Sequence, residues 1–266
     1  MNKLLQLRYS LGYKKKIIFE FFENLIFRNK TSNIKQFKNK YQNQRCFVIG
    51  NGPSLNEMNL SLMKNDIVIC ANSFFLKFKD LEFTPSFISV EDHLVAEDNS
   101  TEFSKLDNII KIYPIDLRKT LENTNNTYWI ELRRAYKNLK KDKNFKFNTG
   151  NEIFYWGGTV LYMNLQLAYY MGFKEIYLIG VDLSYSIPDD AKIKGTVITS
   201  VSEDPNHFDS TYFGKGKRWH LPETDRMQAS FSNAFNELNK RNVKLYNATV
   251  GGNLKEIPRV EYNSLF

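Results

Sequence analysis

Arg45-Cys46-Phe47-Val48-Ile49-Gly50-Asn51-Gly52-Pro53-Ser54-Leu55-Asn56-Glu57 is a short β-branched apolar run that stops abruptly in a turn of glycine, asparagine and proline. It reads as a strand, a tight turn and a helix start. Ser54 and Glu57 have the S-x-x-E spacing of a capping box, which makes Ser54 an N-cap and Glu57 the third helical residue. Gly50 and Gly52 let the backbone approach a ligand closely, and a helix N-terminus offers free N–H groups and partial positive charge to a phosphate. Leu55 leaves G-x-G-x-x-G incomplete, and no Lys-Ser or Lys-Thr follows, so neither a dinucleotide fingerprint nor a Walker A loop is present.

The same pattern recurs along the chain. Asp66 to Ala71 ends in Asn72, where a dinucleotide enzyme would place a ribose-binding acid, and Asn supplies a donor and an acceptor without charge. Ser86 to Val90 leads into Glu91-Asp92-His93, Asn108 to Tyr113 leads into Pro114, and Glu175 to Ile179 leads into Gly180-Val181-Asp182-Leu183. Apolar runs alternating with helical stretches predict an α/β, Rossmann-like fold: a mainly parallel sheet with helices on both faces. Ligands of such sheets bind beyond the carboxyl ends of the strands, which is where Asn51, Asn72, Glu91, Asp92, His93 and Asp182 fall. A mononucleotide or nucleotide-sugar site fits this set better than NAD. If Glu91, Asp92, His93 and Asp182 meet, they could gather a divalent ion and favour phosphoryl transfer.

Gly157-Gly158-Thr159 opens a stretch that is apolar almost all round and ends at Gly172, a buried central helix whose start could face the site, with Thr159 capping it or touching ligand. Residues 184–221 have no sustained period and are too long for an ordinary connection, so they are expected to form a lid or substrate loop. Within it, Phe213 to His220 carries Lys215, Lys217 and Arg218, which would suit an anionic substrate, and Trp219, which would stack on a base or sugar face. Pro222 to Lys240 reads as a long amphipathic helix and Val243 to Tyr246 as a last strand.

The 266 residues carry a net charge of +8, but residues 1–45 hold eleven Lys or Arg against two Glu, +9, leaving −1 for the rest. A basic leader, 1–44, therefore precedes a nearly neutral nucleotide-binding body, 45–183 with 222–266. In the leader, Ile18, Phe21, Phe22, Leu25 and Ile26 form one apolar stripe, suited to docking on the body or on a second subunit, or to an anionic membrane surface. Nucleic acid is not expected, because the aromatic residues sit on that stripe instead of interleaving with the basic face. No run reaches the length of a membrane-spanning helix, so the expected location is cytoplasmic, with a peripheral place on the inner face of the cytoplasmic membrane left open. Cys46 and Cys70 are too few for a disulfide framework and read as inert packing residues.

Phe47 to Leu55, Asn72, and Met171-Gly172-Phe173-Lys174-Glu175-Ile176-Tyr177-Leu178-Ile179-Gly180-Val181-Asp182 together resemble the bacterial sialyltransferases of glycosyltransferase family 42. They are equally similar to the MptE-like family, whose better-defined members are 6-hydroxymethylpterin diphosphokinases. Over residues 45–250 the first resemblance implies a CMP-sugar donor, a glycan or glycolipid acceptor, transfer without a metal, a lid histidine as general base and lid tyrosines on the phosphate. Asn51, Gly52, Ser54 and Asn72 carry over as nucleotide contacts, while Glu91 or Asp92 replaces a third asparagine and would repel a phosphate unless protonated or metal-bound. The catalytic candidates are His207, His220, Tyr212 and Lys215, which stands near the histidine position; the substrate candidates are Arg218 and Trp219. Gly50, Ser73, Glu91, Asp92, Gly158, Thr159, Gly180, Asp182 and Leu183 complete the nucleotide-binding set. The expected function is a CMP-sugar glycosyltransferase of bacterial surface polysaccharide or glycolipid synthesis, and self-association is open. The alternatives are a pyrophosphokinase using ATP and Mg²⁺ and a nucleotide-binding scaffold without chemistry.

Overall fold

The computed structural model describes residues 34–134 and 145–266, so the amphipathic stripe of the leader lies outside the described residues. Strands β1 (Arg45–Ile49), β2 (Ile67–Ala71), β3 (Phe87–Ser89), β4 (Ile110–Pro114), β5 (Thr127–Arg133), β6 (Ile153–Tyr155), β7 (Glu175–Ile179) and β11 (Lys244–Asn247) form an eight-stranded sheet ordered β11-β7-β1-β2-β3-β4-β5-β6. All its neighbours pair in parallel. The chain runs outward from β1 to β6 and then returns to the other side of β1 as β7. The strand order therefore reverses between β1 and β7, the place where a parallel sheet opens a crevice at its carboxyl edge.

Both faces of the sheet are buried, which is why its strands read as continuous apolar runs instead of alternating ones. Cys46, Val48, Ile69 and Leu178 face one side, against α3 (Val160–Met171) and α4 (Thr224–Asn239). Phe47, Ile49, Val68 and Ile179 face the other, against Leu55, Met63, Phe74 and the lid aromatics Phe208, Tyr212, Phe213 and Trp219. Burial pushes the Cys46 and Cys70 thiols up from their ordinary range, and both are free, as expected of packing residues. Thr159 caps α3 by accepting from the Leu161 N–H at 3.4 Å, and Gly172 ends it in the left-handed conformation at φ 95°. Among the described residues no helix is long and apolar enough to cross a membrane.

Three local expectations are corrected. The turn after β1 continues as a single 3-10 turn, Pro53–Glu57, whose N-cap position is Gly52, so Ser54 and Glu57 form no capping box. Strands β5 and β6 extend the sheet beyond the runs read from the sequence; the former alternates, Thr127-Tyr128-Trp129-Ile130-Glu131-Leu132-Arg133. Residues 34–44, assigned to the leader by charge, belong to the body's packing: Ile34 and Phe37 are 4% and 2% exposed, and Tyr41 stacks on Phe173.

Residues 184–221 contain an antiparallel three-stranded sheet, β8 (Lys192–Lys194), β9 (Val197–Thr199) and β10 (Arg218–His220). It rests on α1 (His93–Asp98), which is followed by the one-turn α2 (Ser100–Ser104).

Candidate functional site

The β1 and β7 turns cross so closely that they constrain each other. Gly50 N–H donates to Ile179 O at 2.8 Å and Gly52 N–H to Gly180 O at 3.0 Å. A Cβ on Gly50 would lie 2.3 Å from Gly180 O, and one on Gly52 would lie 1.7 Å from Asp182 Oδ2. These two glycines are therefore required by the crossing of the two turns, and their N–H groups are spent on it. Ser54 Oγ donates to Asp182 Oδ2 at 2.7 Å and Ser54 N–H to Oδ1 at 3.2 Å, tying the turns a second time.

Beyond this crossing opens a cleft with a cavity volume of about 80 Å³. Gly50, Asn51, Gly52 and Asn72 line one side and Gly180, Asp182, Leu183 and Tyr185 the other, with His207 and Tyr212 from the lid; Thr159, Val160, Leu161, Met227 and Phe231 also line it. The helix N-terminus at the site is thus that of α3, three full turns long, and not the 3-10 turn after β1. Its first residues border the cleft, so its partial positive charge is available to an anion there.

Asn51 Nδ2 donates to Ala71 O at 3.2 Å and to the Tyr212 hydroxyl at 2.9 Å. Burial pushes the Tyr212 phenol well above its ordinary range, outweighing the opposing hydrogen bonds from Asn72 and the Ser73 N–H, so it stays protonated. Asn51 Oδ1 and Asn72 Oδ1 are buried without a hydrogen-bond partner among the described residues. Asn72 holds φ 53°, a left-handed conformation that Asn tolerates better than most residues. Two buried acceptors without a partner and a left-handed backbone residue thus fall together at one cleft wall.

His207 lies flat on Tyr212, ring centroids 3.9 Å apart and 2° between planes, and meets Phe213 edge-on. Its Nδ1 is 2.7 Å from Asp204 Oδ2. The Asp204 side chain is 1% exposed and also accepts from the N–H groups of Asn206 and Phe213 at 2.8 and 3.0 Å. Nε2 is the ring nitrogen left for the cleft, the arrangement of a general base held by a carboxylate.

The family model described as "6-hydroxymethylpterin diphosphokinase MptE-like" matches residues 20–188. The chain belongs to the MptE-like family. The match reaches back into the basic leader, which the sequence resemblance had left out, and ends just after β7, so the β1 and β7 turns both lie within the family's region. In overall structure the MptE-like chain is similar to the MAf glycosyltransferase from Magnetospirillum magneticum AMB-1, at 14% identity and TM-score 0.50, over 88% of this chain and 38% of that one. The chain thus spans well under half of that protein's length, and the likeness is one of fold. It also matches the sialyltransferase CstII from Campylobacter jejuni, solved with the substrate analogue CMP-3FNeuAc, at 20% identity and TM-score 0.45, over 83% of this chain and 87% of that one. No curated protein matches the sequence.

Several predicted site residues of this MptE-like chain stand outside the cleft, each for a physical reason. Glu91 is buried and accepts from Arg134 Nη1 at 2.6 Å and from Trp156 Nε1 at 3.1 Å, so its charge is neutralised where it was expected to repel a phosphate. Asp92 is the N-cap of α1 and is 2.6 Å from His220 Nδ1. Burial alone would raise its carboxyl; His220 and the N–H groups of Leu94 and Val95 hold it below the ordinary value. His220 thus joins the three-stranded sheet to α1. Arg218 is bound by Asp98 and Glu97, and Lys217 by the Asp98 carbonyl and Asn99, so neither is free for an anion. Trp219 is 5% exposed, stacks on Phe213 and donates to Ser200 Oγ, which removes it from base or sugar stacking. Lys215 is exposed on a turn and does not line the cleft. Ser73 is buried and Gly158 packs on Arg226, both behind the lining.

The expected gathering of Glu91, Asp92, His93 and Asp182 does not form. Asp182 is held by Ser54, Glu91 by Arg134, and His93 Nε2 is 3.3 Å from Asp116. Among the described residues no three His, Cys, Asp or Glu side chains could hold a metal ion. Reading the sequence alone missed Asp204, Asn206, Tyr185 and Arg134. The first two had a signal in Asp204-Pro205-Asn206-His207, an acid three residues before a histidine in the lid, and Tyr185 follows the β7 strand end.

Proposed function

We propose that this MptE-like chain is a glycosyltransferase that takes a nucleotide-activated sugar, a CMP-sugar, in the cleft between β1 and β7 and passes the sugar to a hydroxyl of a glycan or glycolipid acceptor. The setting is bacterial surface polysaccharide or glycolipid synthesis. The observation that carries the reading is the His207–Asp204 pair in the same cleft as the unsatisfied Asn51 and Asn72 carboxamides. Oxygens that lack donors suit ribose hydroxyls or an exocyclic amine, and the α3 N-terminus suits the phosphate. The choice of cytidine rests on the resemblance of the β1 turn to glycosyltransferase family 42.

In the proposed step His207 Nε2 takes the proton of the acceptor hydroxyl as its oxygen bonds to the anomeric carbon. The bond from that carbon to the phosphate oxygen breaks, and CMP leaves with the electron pair. The protonated Tyr212 phenol and the α3 N-terminus answer the charge that develops on the phosphate. Nothing in this step requires a protein-bound metal.

The family description favours a second reading, transfer of diphosphate from ATP with Mg²⁺. One assay separates them: CMP-sialic acid, or ATP with a pterin alcohol, incubated with and without Mg²⁺. CMP release that persists in EDTA and falls at least 100-fold in His207→Ala supports the transferase; turnover of ATP alone, strictly dependent on Mg²⁺, supports the diphosphokinase. Binding of a nucleotide with no turnover of either substrate would leave a scaffold.

A further inference from the structure

We infer that Asp204 is the positioning residue of this site, locking His207 in the tautomer that carries its proton on Nδ1 and leaves Nε2 bare toward the cleft. The inference rests on the transferase reading for its consequence in turnover, but not for its geometry. Asp204 has a carboxylate whose two oxygens are both committed. Oδ1 accepts from Asn206 N–H at 2.8 Å, and Oδ2 accepts from Phe213 N–H at 3.0 Å while facing His207 Nδ1 at 2.7 Å. With the side chain 1% exposed, water does not compete for it. With backbone N–H groups donating to both of its oxygens, the Asp204 side chain is placed as an acceptor, so the short contact to Nδ1 needs the proton on the ring.

The ring cannot turn away from that partner easily. Tyr212 stacks flat beneath it, Phe213 closes one edge, and Tyr212 is itself held by Asn51 of the β1 turn. Phe208 N–H donates to Asn51 O at 3.0 Å, so the loop carrying the pair is sewn to the wall that carries the unsatisfied carboxamides. When Nε2 takes a proton, Asp204 faces the resulting imidazolium and balances its charge without moving. A second histidine–carboxylate pair, His220 with Asp92, is 37% and 29% exposed and joins residues 184–221 to α1. It lacks this enclosure, so it serves as an internal comparison.

The chain has three histidines, which makes the test direct. Full-length protein labelled with ¹⁵N-histidine is examined by long-range ¹H–¹⁵N correlation, with His207→Asn and His220→Asn assigning the signals. The expected result is a neutral His207 with its proton on Nδ1, which in Asp204→Asn moves wholly or partly to Nε2. A wild-type His207 protonated on Nε2 overturns the proposal whatever the variant does and whatever the protein's substrate proves to be. In the CMP-sialic acid assay, Asp204→Asn should lower kcat about 10²- to 10⁴-fold while CMP affinity changes less than threefold. Unchanged kcat in a variant whose tautomer has shifted would also overturn it. Wild-type protein without turnover but with the expected tautomer would instead refute the transferase reading alone.

Discussion

Ser54 Oγ donates to Asp182 Oδ2 at 2.7 Å, so one carboxylate on the β7 turn holds the hydroxyl of the β1 turn while Gly52 leaves it room to enter. The pair fixes the two strand ends that form the cleft. Ser54→Ala should cost about 1 kcal/mol and Asp182→Ala about 2–3 kcal/mol, since a charged acceptor of two bonds is lost. Because both remove the same contact, the double variant should be no more than slightly worse than Asp182→Ala. Urea denaturation of the four proteins checks this. Gly52→Ala should be at least as damaging as Asp182→Ala, since its Cβ would lie 1.7 Å from Asp182 Oδ2 and 2.4 Å from Cγ and would drive the carboxylate off Ser54.

Asn72 separates a backbone role from a ligand role. Its φ of 53° makes Asn72→Ala strained, by about 1 kcal/mol, while Asn72→Gly accepts the conformation. Thermal denaturation should therefore place the glycine variant close to wild type and the alanine variant below it. Nucleotide binding should be weakened in both alike, because both lose the carboxamide oxygen.

The parallel sheet and its polar strand ends were legible because a strand buried on both faces writes itself as an unbroken β-branched run ending in glycine or asparagine, whereas the strand order that sets β7 beside β1 was not. Asn51, Asn72 and Asp182 came out of that logic alone. What was not legible is which polar strand end keeps its charge. Glu91 looks identical to an active-site acid until Arg134, forty-three positions away, is seen to fold onto it. Phosphate-binding character was likewise placed at the β1 turn, since a capping box in sequence does not reveal that Ser54 is claimed by Asp182. Residues 184–221 misled most: Trp219 and Arg218 have the composition of a ligand-binding loop, yet they serve the three-stranded sheet and its seat on α1.

Acid should expose the Arg134 cluster. Burial alone would push the Asp116 carboxyl up, but the Arg134 guanidinium, with help from His93, holds it down at about 2. An unfolded Asp titrates near ~3.9, so the stability from this group is present in full above that pH and is lost as pH falls through about 2. Asp116→Asn should lose about 2 kcal/mol at neutral pH and show a flatter loss of stability from about pH 4 downward. Arg134→Met should be worse, by about 3–5 kcal/mol, because it strands Glu91 and Asp116 without their cation. Urea midpoints across a pH series measure both.

The charge boundary and the packing boundary of the leader differ, and truncations should reveal it. Removal of residues 1–33 should release the protein from vesicles of anionic lipid and leave CMP binding intact. Removal of residues 1–40 also deletes Phe37, 2% exposed and packed on Phe87 and Tyr128, and should cost about 3–5 kcal/mol. Vesicle binding that survives the shorter truncation would assign the leader to docking on protein.

The proposed function requires the cleft between β1 and β7 to take a cytidine nucleotide through Asn51 and Asn72. Isothermal titration of CMP, UMP and AMP into the wild-type chain, Asn51→Ala and Asn72→Gly tests it most directly. One CMP site is expected, with UMP and AMP at least tenfold weaker, and either variant should lose at least tenfold in CMP affinity. A preference for AMP, or CMP binding untouched by both substitutions, would contradict it.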